Sequence, residues 1–141
     1  MDYKYRFMRG GFGLAANISA HTEECEYAPS NTIQINQGLH LRLPVDHIHW
    51  KDAAWLSFGL SLHSANLSRN DGSHLLVAID SFTYPGADYQ AEVAALAIDG
   101  WVHQNLSIPP CGVSVSYERP RRRFCFDWGP DVVPFCDALP G

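Results

Sequence analysis

At 141 residues the chain has the length of one domain, and its 46% hydrophobic and 18% charged composition provides enough apolar mass for a core without metal or disulfide staples. A formal net charge of −5 argues against a nucleic-acid binder, which needs a basic face for phosphate. No apolar run approaches the length of a membrane span, so the expectation is a cytoplasmic protein with no membrane partner, nucleic acid disfavoured and no cofactor required.

Lys4, Arg6 and Arg9 precede GGFGLAANISA, but that apolar stretch is short and broken by glycine and Asn17, so it reads as part of the fold and not as a signal peptide. Tyr3 to Phe7 alternates aromatic and basic residues, which predicts an edge strand. RGGFG follows as a turn and GLAANISA as a second strand. Gly11 to Ala16 also matches G-x-G-x-x-A, yet no good helix follows and no strand-borne acid lies downstream, so a turn is the better reading. HTEECEYAPSN, with Glu23, Glu24 and Glu26, reads as a loop.

Thr32 to Val45 is extended and divides at Gln37-Gly38. Asp52 to Leu67 satisfies two patterns: Leu56, Phe58, Leu60 and Leu62 alternate as in a strand, whereas the length and apolar arc favour a helix capped by Asp46 or Asp52. The helix is preferred, although Ser and Gly within it count against it. His74 to Tyr84 predicts a central buried strand, and Asp88 to Leu106 a helix capped by Asp88 and stopped at Pro109-Pro110. GVSVSYE and RRFCFDW predict two strands joined around Arg119-Pro120.

The sum is an α+β fold: a single domain over residues 1–128, with a mixed or antiparallel sheet and one or two helices on one face, then an irregular Pro-rich tail over residues 129–141. With the middle segment helical, the order strand, strand, helix, strand, helix over residues 12–105 resembles the second domain of ribosomal protein S5 and the fourth domain of bacterial translocases. That resemblance implies fold alone, because the fold hosts many functions.

Three groups of residues bear on function. His47 and His49, in PVDHIHWKDAAW, share a face if extended and form a candidate metal pair awaiting a third ligand from His40, His63, His74, Asp80 or His103. On a helix they point apart and are boundary residues. Cys25, Cys111, Cys125 and Cys136 form no C-x-x-C pair, so they read as reduced thiols, with a Cys125–Cys136 bridge as the alternative and Cys111 as a weaker candidate nucleophile. Arg121, Arg122 and Arg123, followed by Phe126 and Trp128, combine cations with aromatics as binding anchors do.

P-loop, zincin and hydrolase-elbow motifs are absent from the sequence. The first expectation is therefore a small, acidic, non-catalytic protein-binding or accessory module, of immunity-protein size and charge or self-associating, whose partner is another protein or its own copy. The second is a small enzyme or metalloprotein using His47, His49 and an acid or Cys111. A third is a carrier of an apolar ligand.

Overall fold

The fold, taken from a computed structural model that describes residues 1–136, opens with a tight hairpin. Gly10 (φ 59°) and Gly11 (φ 83°) both take the left-handed conformation that a two-residue hairpin turn requires, and they join β1 (Asp2–Arg9) to β2 (Phe12–Cys25). Tyr3, Tyr5 and Phe7 alternate inward along β1 and pack on the core. The HTEEC segment expected to be a loop is instead the second half of β2. Backbone pairing with β5 (His74–Thr83) runs to Cys25↔His74, and His21 meets Asp80 on the solvent side of the sheet, so polar side chains are accommodated.

β3 (Ile33–Asn36) and β4 (Leu39–Arg42) divide at Gln37-Gly38 as expected. Five strands form one mixed sheet in the order β1-β2-β5-β4-β3, with β4 parallel to β5 and the other neighbours antiparallel. The class is α+β. Between the parallel pair the chain crosses one face through α1 (Trp50–Ser61) and the single-turn α2 (Ser64–Leu67). The middle segment is therefore helical. Its cap is neither Asp46 nor Asp52 but His49, whose Nδ1 accepts the Lys51 N–H at 3.2 Å.

The residues that counted against α1 have positions that suit them. Ser57 and Ser61 return their hydroxyls to the carbonyls of Ala53 and Phe58 at 2.8 and 2.6 Å. Gly59 lies where α1 crosses α3 (Val93–Leu106), so close that a Cβ there would be 2.6 Å from Ile98 Cγ2. The alternation of apolar residues also has a cause. Leu56 and Leu60 enter the sheet-side core, while Phe58 enters a second cluster with Ala95, Leu96 and Trp128 on the far side of the helices.

α3 starts at Val93, five residues later than Asp88 predicted. The intervening residues are committed elsewhere: the Asp88 carbonyl accepts the Ala15 N–H at 2.8 Å, the Tyr89 hydroxyl donates to Asp52, and the Gln90 amide pairs with the Phe124 backbone. β6 (Ser114–Glu118) and β7 (Arg123–Asp127) form a separate hairpin over the helices, with Val115, Phe126 and Trp128 packed on the second cluster. The ribbon also reaches the first hairpin, where Phe12 stacks on Tyr117 at 4.5 Å and Phe7 meets Phe124 edge-on at 5.9 Å.

Residues 129–136 hold no strand or helix, and the last part of the expected tail, residues 137–141, lies outside the described residues. Cys125 is a free thiol whose Sγ donates to Glu118 at 3.1 Å, so the Cys125–Cys136 bridge is not formed. Among the described residues no helix is long and apolar enough to cross a membrane.

Candidate binding cleft

The first two turns of α1 place Trp50 and Lys51 beside Ala54 and Trp55, because residues four apart share a helix face. Opposite them stand Gln90, Ala91 and Glu92 from the loop before α3, then Arg122 and Arg123 at the β6–β7 turn. Phe135 meets Trp55 edge-on at 4.8 Å, and together these residues line a cleft of about 690 Å³.

The walls are tied together by buried polar contacts. Asp52, 4% exposed, accepts the Tyr84 and Tyr89 hydroxyls at 2.9 and 2.5 Å, and the two rings stack with centroids 3.5 Å apart. This fixes the loop to α1. Burial and then the Asp52 contact raise both phenol pKa values above the usual 10, so the hydroxyls stay protonated and remain donors. Gln90 fixes the same loop to the ribbon: its Nε2 donates to the Phe124 carbonyl at 3.1 Å, and its Oε1 accepts the Phe124 N–H at 2.6 Å.

The Arg-aromatic cluster is split by the fold. Trp128 is 8% exposed, stacks on Trp55 at 5.8 Å and meets Phe58 edge-on at 5.0 Å. Half-buried Phe126 stacks on Trp128 at 6.0 Å, so these two rings support the cleft from beneath. Of the three arginines, Arg121 is exposed and pairs with Glu118 at 3.2 Å, outside the cleft lining. Arg123 pairs with Glu92 at 3.5 Å within the wall that faces α1. Arg122 takes φ 51° at the turn and closes it by donating its N–H to the Arg119 carbonyl at 3.2 Å.

Among the described residues neither Arg122 nor Lys51 has an ion-pair partner; the Lys51 ammonium lies 5.7 Å from the Trp50 ring centroid. Trp50, Lys51, Trp55, Gln90 and Phe135 were missed by the sequence reading. The first three were legible in part, since a helix starting near residue 50 puts 50, 51, 54 and 55 on one face.

His47 and His49 are exposed on the non-helical approach to α1. His49 spends Nδ1 on the cap and lies against Trp50, centroids 6.0 Å apart. Among the described residues no group of three or more His, Cys, Asp or Glu side chains is gathered to hold a metal ion. Of the third ligands considered, His63 is bound into the interior: its Nε2 donates to Asp99 Oδ1 at 2.7 Å, and the Cys111 N–H donates to the same oxygen at 2.9 Å. Burial, then the Asp99 charge, pushes the Cys111 thiol up to about 12, so the thiolate that nucleophilic chemistry needs is strongly disfavoured at neutral pH.

On the face of the sheet away from the helices, buried His40 Nε2 and His74 Nδ1 lie 2.9 Å apart, and half-exposed His21 bridges Asp80 and Glu23 at 3.0 and 3.1 Å. His103 Nδ1 donates to the Ile108 carbonyl at 2.9 Å beyond the end of α3. The G-x-G-x-x-A stretch is the β1–β2 turn running into a strand, so it presents no helix end to a pyrophosphate. A second, wider groove of about 1050 Å³ runs between β3, the serine-lined side of α1 and α2, and residues 131–136.

Against known proteins, the chain matches no family model and has no match among curated sequences.

Proposed function

We propose that the chain is a non-catalytic protein-binding module that engages its partner through the cleft between α1 and the β6–β7 turn. The observation that carries this reading is the lining itself: Trp50, Trp55 and Phe135 stand beside Lys51, Arg122 and Arg123, and tryptophan and arginine are the residue types that dominate binding energy at interfaces. Trp50 is 70% exposed and Phe135 57%, apolar surface that a partner would cover. The chemistry of the interior supports the same reading. The Cys111 thiol is held protonated, and His63 and Asp99 are 3% and 6% exposed and satisfied by each other.

The test compares wild type with the Arg121→Glu, Arg122→Glu, Arg123→Glu triple variant in native mass spectrometry and in affinity capture, with circular dichroism to verify the fold. The expected result is loss of one specific captured protein, or of the homodimer, with the fold intact. Equal capture and equal oligomeric state in both proteins would overturn the reading.

A further inference from the structure

Five of the ten basic residues in this net-acidic chain, Lys51, Arg119, Arg121, Arg122 and Arg123, belong to the first turn of α1 or to the end of the β6–β7 hairpin. Two of them are neutralised locally, Arg121 by Glu118 and Arg123 by Glu92. Arg122 and Lys51 line the cleft without such a partner among the described residues, in the same lining as the exposed Trp50 and half-buried Trp55. Local charge therefore runs opposite to the charge of the whole chain.

We propose that the occupant of this cleft is an acidic segment of a partner protein, with an apolar or aromatic side chain set against Trp50 and Trp55 and flanking carboxylates on Lys51 and Arg122. The proposal rests on the protein-binding reading and names the chemistry of its partner. Charge complementarity carries it. Two unneutralised cations attract carboxylates, a guanidinium can grip one bidentately, and the aromatic wall supplies the apolar anchor. The open wall favours a protein segment over a free small molecule, since well-bound small ligands lose most of their surface to the pocket, whereas Trp50 here is 70% exposed. Nucleic acid is disfavoured by Glu92 in the lining and by the −5 net charge.

The probe is a fluorescein-labelled random copolymer of glutamate and tyrosine, read by anisotropy and by quenching of tryptophan emission, with labelled polylysine as the opposite-charge control. Wild type is expected to bind the acidic copolymer and not polylysine, more weakly as salt rises. The Lys51→Glu, Arg122→Glu double variant should lose about tenfold or more in affinity. Lys4→Glu with Arg9→Glu makes the same charge change on β1 and should stay within about threefold of wild type. Should charge reversal disturb the fold, Lys51→Met with Arg122→Met removes the cations and keeps the aliphatic length.

Absence of copolymer binding, preference for polylysine, or equal losses in the two double variants would overturn the proposal. The two readings fail separately. If the hairpin triple variant loses its protein partner while the copolymer never binds, only the acidic occupant is wrong. If the copolymer binds through Lys51 and Arg122 while partner capture ignores the hairpin, the cleft accepts acidic chains but is not the partner's contact surface, and the protein-binding reading of the cleft fails.

Discussion

Gly59 of α1 touches Ala95 of α3: a Cβ on the glycine would lie 2.7 Å from the alanine Cα and 2.7 Å from its carbonyl oxygen. Those atoms are backbone and cannot swing aside. Gly59→Ala gains about 1 kcal/mol of helix propensity, but forcing the helices apart costs roughly 1 to 3 kcal/mol, here at the upper end because backbone must move. The expected outcome is a net loss of about 2 kcal/mol, read as a lower urea midpoint at unchanged slope. A gain in stability would show that the helices do not cross at this residue.

Asp99 is the acceptor on which the α1–α2 junction and the segment after α3 converge, since His63 and Cys111 both donate to its Oδ1. Asp99→Ala would strand two donors in the interior and leave a small cavity. A loss of about 3 kcal/mol is expected, with each unsatisfied buried donor costing roughly 1 to 3 kcal/mol. Asp99→Asn retains an acceptor oxygen at the same place and should cost clearly less. Equal losses for the two variants would mean that the acceptor is not what matters.

Half-exposed His21 and buried His40, on the face of the sheet away from the helices, should respond to pH in opposite directions. Hydrogen bonding to Asp80, helped by Glu23, raises the His21 pKa above 6.5, so its contribution to stability is complete below 6.5 and fades as pH rises through the folded value. Burial, then the neighbouring His74, lowers that of His40, so its contribution is present above 6.5 and is lost as pH falls through the folded value. The charged groups around the pair are Glu23 and Asp80 at His21, with Arg42 3.9 Å from Glu23, while the titratable group that faces His40 among the described residues is His74. Imidazole NMR titrations should give a midpoint above 6.5 for His21 and below it for His40. Coincident midpoints would contradict both environments.

How much of this was readable from sequence depends on whether the signal was local. The Gly10-Gly11 turn, the β5 run and the split at Gly38 were legible because each follows from the conformational or apolar preference of adjacent residues. HTEEC was misread because its pairing is supplied by β5, some fifty residues away, and a backbone ladder can hold polar side chains on its exposed face despite their low strand propensity. Asp88 was misread as a cap for a similar reason. Tyr89 and Gln90 find stronger partners in Asp52 and the Phe124 backbone, so the helix cannot begin there. The site was half legible: the arginine run marked one wall of the cleft, whereas which aromatics face solvent and which lie underneath is decided by how the ribbon packs on the helices.

Arg122 joins stability to binding in one residue. At φ 51° it occupies the left-handed region that glycine enters freely and that costs a residue with a Cβ roughly 1 to 2 kcal/mol. No ion pair of its side chain among the described residues offsets that cost. Arg122→Gly should therefore remove strain, partly cancelled by the greater freedom of glycine in the unfolded chain, for a net stabilisation of up to about 1 kcal/mol. It should also weaken binding of the acidic copolymer, because one of the two unpaired cations is gone. Arg122→Lys keeps the charge and the strain, so it should retain most of the binding with no gain in melting temperature. A turn residue selected only for the fold would give the first effect without the second. If Arg122→Gly melts higher and binds as wild type does, the strained arginine is not held there for a partner.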